Sequence, residues 1–214
     1  MGYRRNHPCT RDKNLKASSA QAILNGLAPD GGLYTMSSFD EVRFDYTTVL
    51  NMDTMSMSTK ILSKLLPDFS EAEMAKLVHD GYTGKFETDH LTPTVPVGED
   101  FILELFRGPT SAFKDVALSM LPRLMTASKE KLGVDDEILI LTATSGDTGK
   151  AAMEGFCDVP GTKIIVFYPH GGVSAVQQAQ MATQAGENVC VCAVRGNFDD
   201  AQSGVKRIFS DPIL

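Results

Sequence analysis

The sequence predicts an α/β fold: an α-rich N-terminal domain, then a domain in which a parallel sheet lies between layers of helices. Three observations carry this reading. From residue 102 onward, short apolar runs alternate with segments of helical period, the β-α-β-α-β-α order that implies parallel strands and right-handed crossovers. Before that point, polar caps and 3.6-residue apolar spacing dominate. Between the two regions lies Thr92-Pro93-Thr94-Val95-Pro96-Val97-Gly98, where two prolines mark a change of character, so residues 1–95 and 96–214 are taken as two domains.

In the first region, Ser18 or Ser19 caps a short helix over Ala20–Leu24 that stops at Asn25-Gly26. Pro29, Gly31 and Gly32 then demand a tight turn. A helix over Thr59–Leu66 places Ile61, Leu62, Leu65 and Leu66 on one face. Ser70-Glu71-Ala72-Glu73 is a capping box that opens another, with Met74, Leu77 and Val78 inward and Gly81 as its stop.

In the second region, Ile102–Leu105 reads as a short strand. Ala112–Ser128 has helical spacing in Val116, Ala117, Met120, Leu121 and Leu124, with Pro122 set to kink or weaken it. Glu137–Ala143 is nearly all apolar, as for a strand covered on both faces. A Gly-rich turn and a helix over Thr148–Phe156 follow, then a strand over Lys163–Tyr168. Ser174 and Gln177 form a capping box for a helix reaching Ala185, and a strand over Asn188–Val194 and a helix over Phe198–Phe209 complete the pattern.

The 214 residues, 43% hydrophobic, suffice for one large domain or two small ones with a real core. A net charge of −7 without a dense Lys/Arg run argues against a nucleic-acid groove or an anionic membrane surface. No apolar run is long enough to span a bilayer, and the N-terminus has no signal-like stretch. The Met1-Gly2 start is a poor myristoylation match, because Asn6 stands where a hydroxyl residue is wanted. Cys9, Cys157, Cys190 and Cys192 lack metal-site spacing and read as free thiols in a reducing cytosol. His7, His79, His90 and His170 are not paired at ligand spacing either, so no metal and no catalytic histidine is expected.

Open α/β sheets bind ligands at the C-terminal ends of their strands, and two Gly-containing segments stand near such ends. The later one, Thr142-Ala143-Thr144-Ser145-Gly146-Asp147-Thr148-Gly149, turns the chain from strand to helix. Unpaired N–H groups and the dipole at a helix start suit a carboxylate or phosphate, and the hydroxyls add donors. Asp147 repels an anion, so it either caps the helix or faces something cationic. The segment fits neither a P-loop nor Gly-x-Gly-x-x-Gly. The earlier one, Arg107-Gly108-Pro109-Thr110-Ser111-Ala112-Phe113-Lys114-Asp115, puts Lys114 near a helix start. Two readings stay open there: a surface lysine paired with Asp115, or a lysine in a cleft whose lowered pKa makes it a nucleophile toward an aldehyde.

Together, in this order and about thirty residues apart, the two segments resemble those of the threonine synthases, pyridoxal-phosphate (PLP) enzymes of the tryptophan-synthase β-like fold. Gly108-Pro109-Thr110 and Ala112-Phe113-Lys114-Asp115 are similar to that family's PLP-lysine segment, and residues 143–149 to its substrate loop. Cys9-Thr10-Arg11 resembles its Ser-Thr-Arg, with Cys in place of Ser. Gly26-Leu27-Ala28-Pro29-Asp30-Gly31-Gly32-Leu33-Tyr34 and Gly196-Asn197-Phe198-Asp199-Asp200-Ala201-Gln202 resemble two further segments.

The resemblance implies that Lys114 binds PLP as an aldimine and then serves as general base on O-phospho-L-homoserine. Protons leave the α- and β-carbons, phosphate leaves the γ-carbon, and water adds at the β-carbon to give L-threonine. It further implies that Phe113 and Asp147 contact the cofactor. Thr144, Ser145, Gly146 and Thr148 would hold the substrate carboxylate. The setting implied is a cytoplasmic lyase of threonine biosynthesis in the aspartate family, a monomer or homodimer without nucleic-acid or membrane partners. Many relatives of the wider fold carry Asn where Asp147 stands.

The family's Gly-rich loop for the cofactor phosphate comes later than Leu214. Gly196-Asn197-Phe198 does not replace it, because Asp199 and Asp200 would oppose a phosphate and instead suit a helix N-terminus. Ser210-Asp211-Pro212-Ile213-Leu214 has no polar tail and reads as cut short. Two alternatives accompany the main reading: a phospho-lyase on another phosphorylated amino acid, and a truncated non-catalytic relative without PLP.

Overall fold

The computed structural model describes residues 6–40, 42–209 and 211. The myristoylation reading rests largely on residues 1–5, and the closing reading largely on Ser210 and residues 212–214; both lie outside the described residues. Two compact units divide the chain: Met1–Gly84 with Arg123–Asp135, and Lys85–Pro122 with Asp136–Leu214.

The first unit begins with a minimal antiparallel pair, β1 (His7–Pro8) and β2 (Lys16–Ala17). Helix α1 (Ser19–Asn25) is capped by Ser18 in a reciprocal box with Gln21, and the chain leaves it at Gly26 with φ +65°. The two motifs that resemble family segments fold onto one another here. The Cys9 thiol donates to Asp30 Oδ1 at 3.2 Å, the Gly32 N–H donates to the same oxygen at 2.8 Å, and Arg11 Nη1 donates to the Asp30 carbonyl at 2.6 Å. These donors, the Gly32 N–H foremost, hold the Asp30 carboxyl below its ordinary pKa.

Helix α2 (Thr54–Leu65) starts five residues before the position expected from Thr59. Asp53 caps it through the Ser56 N–H, a signal hidden because Met55 and Met57 break the apolar period. Helix α3 (Glu71–Tyr82) has the predicted Ser70/Glu73 box and buries Met74 and Val78 completely. Gly81 is not its stop: it is buried inside the last turn, and the left-handed residue beyond the helix is Gly84, φ +73°.

The second unit opens with a hairpin of β3 (Thr94–Val97) and β4 (Asp100–Leu103), turning at Gly98. This corrects the expectation that the strand near Ile102 joins the parallel array. It pairs antiparallel with β3 in a sheet of its own, because a four-residue run can close on its neighbour at once. Helix α4 (Lys114–Leu132) runs through Pro122 without interruption, starting in the second unit and ending in the first. Its inward stripe differs from the expected one. Asp115, Ser119, Met120, Pro122 and Ser128 are buried, whereas Ala117 and Leu121 are exposed. The small residues allow close approach: a Cβ on Gly155 would collide with the Leu118 carbonyl.

The parallel sheet has the order β5-β6-β7, formed by Ile138–Ala143, Thr162–Pro169 and Val189–Val194. Helices α5 (Asp147–Phe156) and α6 (Ala175–Ala182) are the two crossovers, and α7 (Phe198–Phe209) lies against β5 and β6. Central strand β6 buries Ile164 and Val166 completely. Strand β5 is not covered on both faces as its composition suggested; it is an edge within the described residues, and Leu139 is half exposed. The Ser174/Gln177 box forms, but α6 ends three residues early as Thr183 turns its hydroxyl back to the Ala179 carbonyl. Asn197 and Asp200 cap α7 reciprocally, the role expected for the acids there. All four cysteines are free, no described helix is long and apolar enough to cross a membrane, and no metal-ligand cluster occurs among the described residues.

Two tests follow from the first unit. Lys131 pairs with Glu73 at 2.8 Å and lowers its pKa from 4.5 to about 2, with help from Ser70. A folded-state pKa below the unfolded one stabilises above the unfolded value and is lost as pH falls. Glu73→Gln should therefore destabilise by less than about 1 kcal/mol at pH 7, since the pair is half exposed. The difference from the parent should vanish between about pH 4.5 and pH 2 in urea melts. Separately, a Cβ on Gly32 would overlap the Cys9 sulfur, so Gly32→Ala should lower stability by about 1–3 kcal/mol, read from the denaturation midpoint.

Candidate functional site

Both candidate segments lie in the second unit, and each is shaped by one buried polar side chain. Asp115 is 2% exposed and organises the lysine segment. Its carboxylate accepts from the Thr110 N–H at 2.9 Å, the Thr110 hydroxyl at 2.5 Å and the Ala112 N–H at 3.4 Å. Gly108 lies so close that a Cβ would strike that carboxylate, and Ser111 is held left-handed at φ +58°, a costly backbone for a side-chain-bearing residue. Before the turn, Arg107 is gripped by Glu104 and Glu87, both at 2.7 Å. That removes Arg107 as an anion ligand and raises its pKa further.

Lys114 is thereby set on the first residue of α4. Its ammonium lies 5.1 Å from the centroid of the exposed Phe113 ring and joins no ion pair among the described residues. The pairing with Asp115 that a surface lysine would make does not form, because Asp115 is committed to Thr110.

The later segment follows β5, at the C-terminal end of the parallel sheet. Thr144 is 1% exposed, and its hydroxyl accepts from the N–H groups of Gly146 and Gly149 at 3.0 and 2.9 Å. It donates in turn to the Gly146 carbonyl at 3.1 Å, so its donor is used inside the turn. Gly149 packs on Thr144 and Val166 where a Cβ would collide with both, which sets α5 down on the sheet. Ser145 is exposed and Thr148 is half-buried.

Asp147 takes neither of the roles expected of it. Gly146 holds the N-cap position, and Asp147 is the first helical residue. Among the described residues its carboxylate joins no ion pair; the neutral Gln177 amide donates to Oδ1 at 2.7 Å. The negative charge is favourable in that first turn. The helices carrying the two segments approach closely at Gly155 and Leu118. Sequence reasoning missed two residues of the site. Asp115 looked like a lysine's partner, and Gln177 like a helix cap only.

Asp115→Ala would strand three donors in a buried turn and is expected to cost about 2–3 kcal/mol. Asp115→Asn, which keeps an acceptor, should cost less. Urea midpoints at unchanged m-value would show both effects.

Comparison with known proteins fits this geometry. Residues 6–82 match the family model described as threonine synthase N terminus. Threonine synthase of Pseudomonas aeruginosa is 35% identical over 205 residues, covering 94% of this chain and 43% of the relative. Among solved structures, a PLP-bound threonine synthase from Brucella melitensis superposes with a TM-score of 0.87 at 35% identity, covering 97% of this chain and 45% of that one. Threonine synthase from yeast gives a TM-score of 0.88 at 32% identity, covering 99% and 44%. The chain thus spans less than half the length of the relatives it matches. By sequence and by fold, the chain is similar to the N-terminal part of the threonine synthases.

Proposed function

We propose that this chain carries the lysine side of a PLP site and takes part in threonine synthase chemistry, the conversion of O-phospho-L-homoserine and water to L-threonine and phosphate. The observation that carries the proposal is the Lys114 amine. It stands at a helix start on a turn fixed by Asp115, unpaired with any carboxylate among the described residues. An amine used as a nucleophile toward an aldehyde must be kept out of ion pairs, which would hold it protonated. The residues present therefore fit PLP on this side.

When bound, PLP supplies an electron sink for carbanion chemistry. Lys114 Nζ would hold the cofactor's aldehyde carbon and, once released, move the proton at the substrate α-carbon and then one at the β-carbon. Phe113, whose ring lies beside the amine, and Asp147 at the start of α5 would contact the cofactor. The N–H groups of Asp147 and Thr148 open α5, where no intrahelical partner exists. With the Ser145 and Thr148 hydroxyls they would bind the substrate carboxylate. Thr144 and Gly146 serve by shaping that turn. The same reading places the protein in cytoplasmic amino-acid biosynthesis, as a monomer or homodimer acting on a small molecule.

Titration of the purified protein with PLP should raise an absorbance band at about 420 nm that borohydride erases and Lys114→Ala never shows. A protein left colourless by PLP overturns the assignment. With O-phospho-L-homoserine, threonine as product supports the named reaction, whereas a 2-oxo acid assigns a phospho-lyase.

A further inference from the structure

Gln177 makes contacts that its place in the fold does not require. As the third residue of α6 it closes the capping box: its backbone N–H donates to the Ser174 hydroxyl at 3.2 Å, and its Oε1 accepts from the Ser174 N–H at 3.1 Å. That leaves the Nε2 end of the amide fixed in direction, and it donates to Asp147 Oδ1 at 2.7 Å, thirty residues away in sequence. The same amide lies on Gly146, where a Cβ would overlap all three of its terminal atoms. Gly146 adopts φ +150° at that contact, so glycine is needed both for the backbone and for the space.

We propose that Gln177 is the positioning residue of the 144–149 turn. Helix α6 fixes its amide, which holds Asp147 from outside while the Thr144 hydroxyl gathers Gly146 and Gly149 from inside. The neutral amide satisfies the side-chain oxygen of Asp147 without setting an opposite charge against it, and the turn keeps one conformation. The inference deepens the function proposed above and rests on it for its meaning, though the clamp can be measured without cofactor.

The test is hydrogen exchange at the Gly146 and Gly149 amides of the whole protein without PLP, read as protection factors, together with PLP titration. Gln177→Glu keeps the capping acceptor and the side-chain size, but sets two carboxylates face to face. Protection should fall about tenfold at neutral pH and return below about pH 4, as the new carboxyl takes a proton. The double variant Gln177→Glu with Asp147→Asn reverses donor and acceptor and should restore protection at neutral pH. Gln177→Met, which keeps volume without a donor, should lose protection at every pH, and it serves if the single charged variant does not fold. Protection unchanged in Gln177→Glu and in Gln177→Met overturns the proposal, as does a double variant no better protected than the single one. A parent protein that takes up no PLP but shows the exchange pattern sinks the functional reading and leaves the clamp standing. PLP uptake that needs Lys114 but is indifferent to Gln177, with flat exchange, sinks the clamp alone.

Discussion

The Asp115 carboxylate, buried and bonded to the Thr110 N–H, the Thr110 hydroxyl and the Ala112 N–H, is the interaction on which the lysine segment depends. A chain turning into a helix leaves N–H groups without partners, and burying them unpaired is costly. One carboxyl side chain settles two such N–H groups and a hydroxyl at once. The consequence for chemistry is indirect. A carboxylate spent on its own loop is unavailable to the neighbouring ammonium, so Lys114 joins no ion pair among the described residues and lies beside the Phe113 ring. The stability of the turn and the availability of the amine are therefore one design.

The second turn solves the same problem with a hydroxyl. Thr144 accepts from two N–H groups and donates to a carbonyl, so the polar groups closest to the sheet are closed off from solvent. What the turn offers outward is then limited to the first N–H groups of α5, the Ser145 and Thr148 hydroxyls, and the Asp147 charge. Small residues decide the fit: Gly149 against Val166, Gly146 against Gln177, and Gly155 against the Leu118 carbonyl leave no room for a side chain. These contacts bind α5 to the sheet, to α6 and to α4. A change at any of them would shift the donors without touching a ligand.

The relatives give this arrangement its context. Similarity covers nearly the whole chain at TM-scores of 0.87 and 0.88, while less than half of each matched structure is represented. The Lys114 segment and the turn that follows β5 both fall inside the shared part. The outward apolar residues of the hairpin, among them Phe101 and Leu103, and Leu139 on β5 are at least half exposed.

By itself the sequence determined where helices and strands lie in the parallel region, a serine cap at Ser18 or Ser19, the capping boxes at Ser70 and Ser174, and the two ordered segments around Lys114 and Gly146. Those features are local. They depend on apolar period, on cap residues three positions apart, and on glycines at turns, all legible along a single stretch. Tertiary structure alone decided the rest. The strand near Ile102 pairs with β3 and not with the parallel sheet, and α2 begins at Thr54 where no apolar period announces it. Asp115 turns to Thr110 in place of Lys114, Thr144 spends its hydroxyl on the turn, and Asp147 meets Gln177. In each case several acceptors or donors compete for one partner. Which of them wins is set by distances between chain segments that no local pattern records.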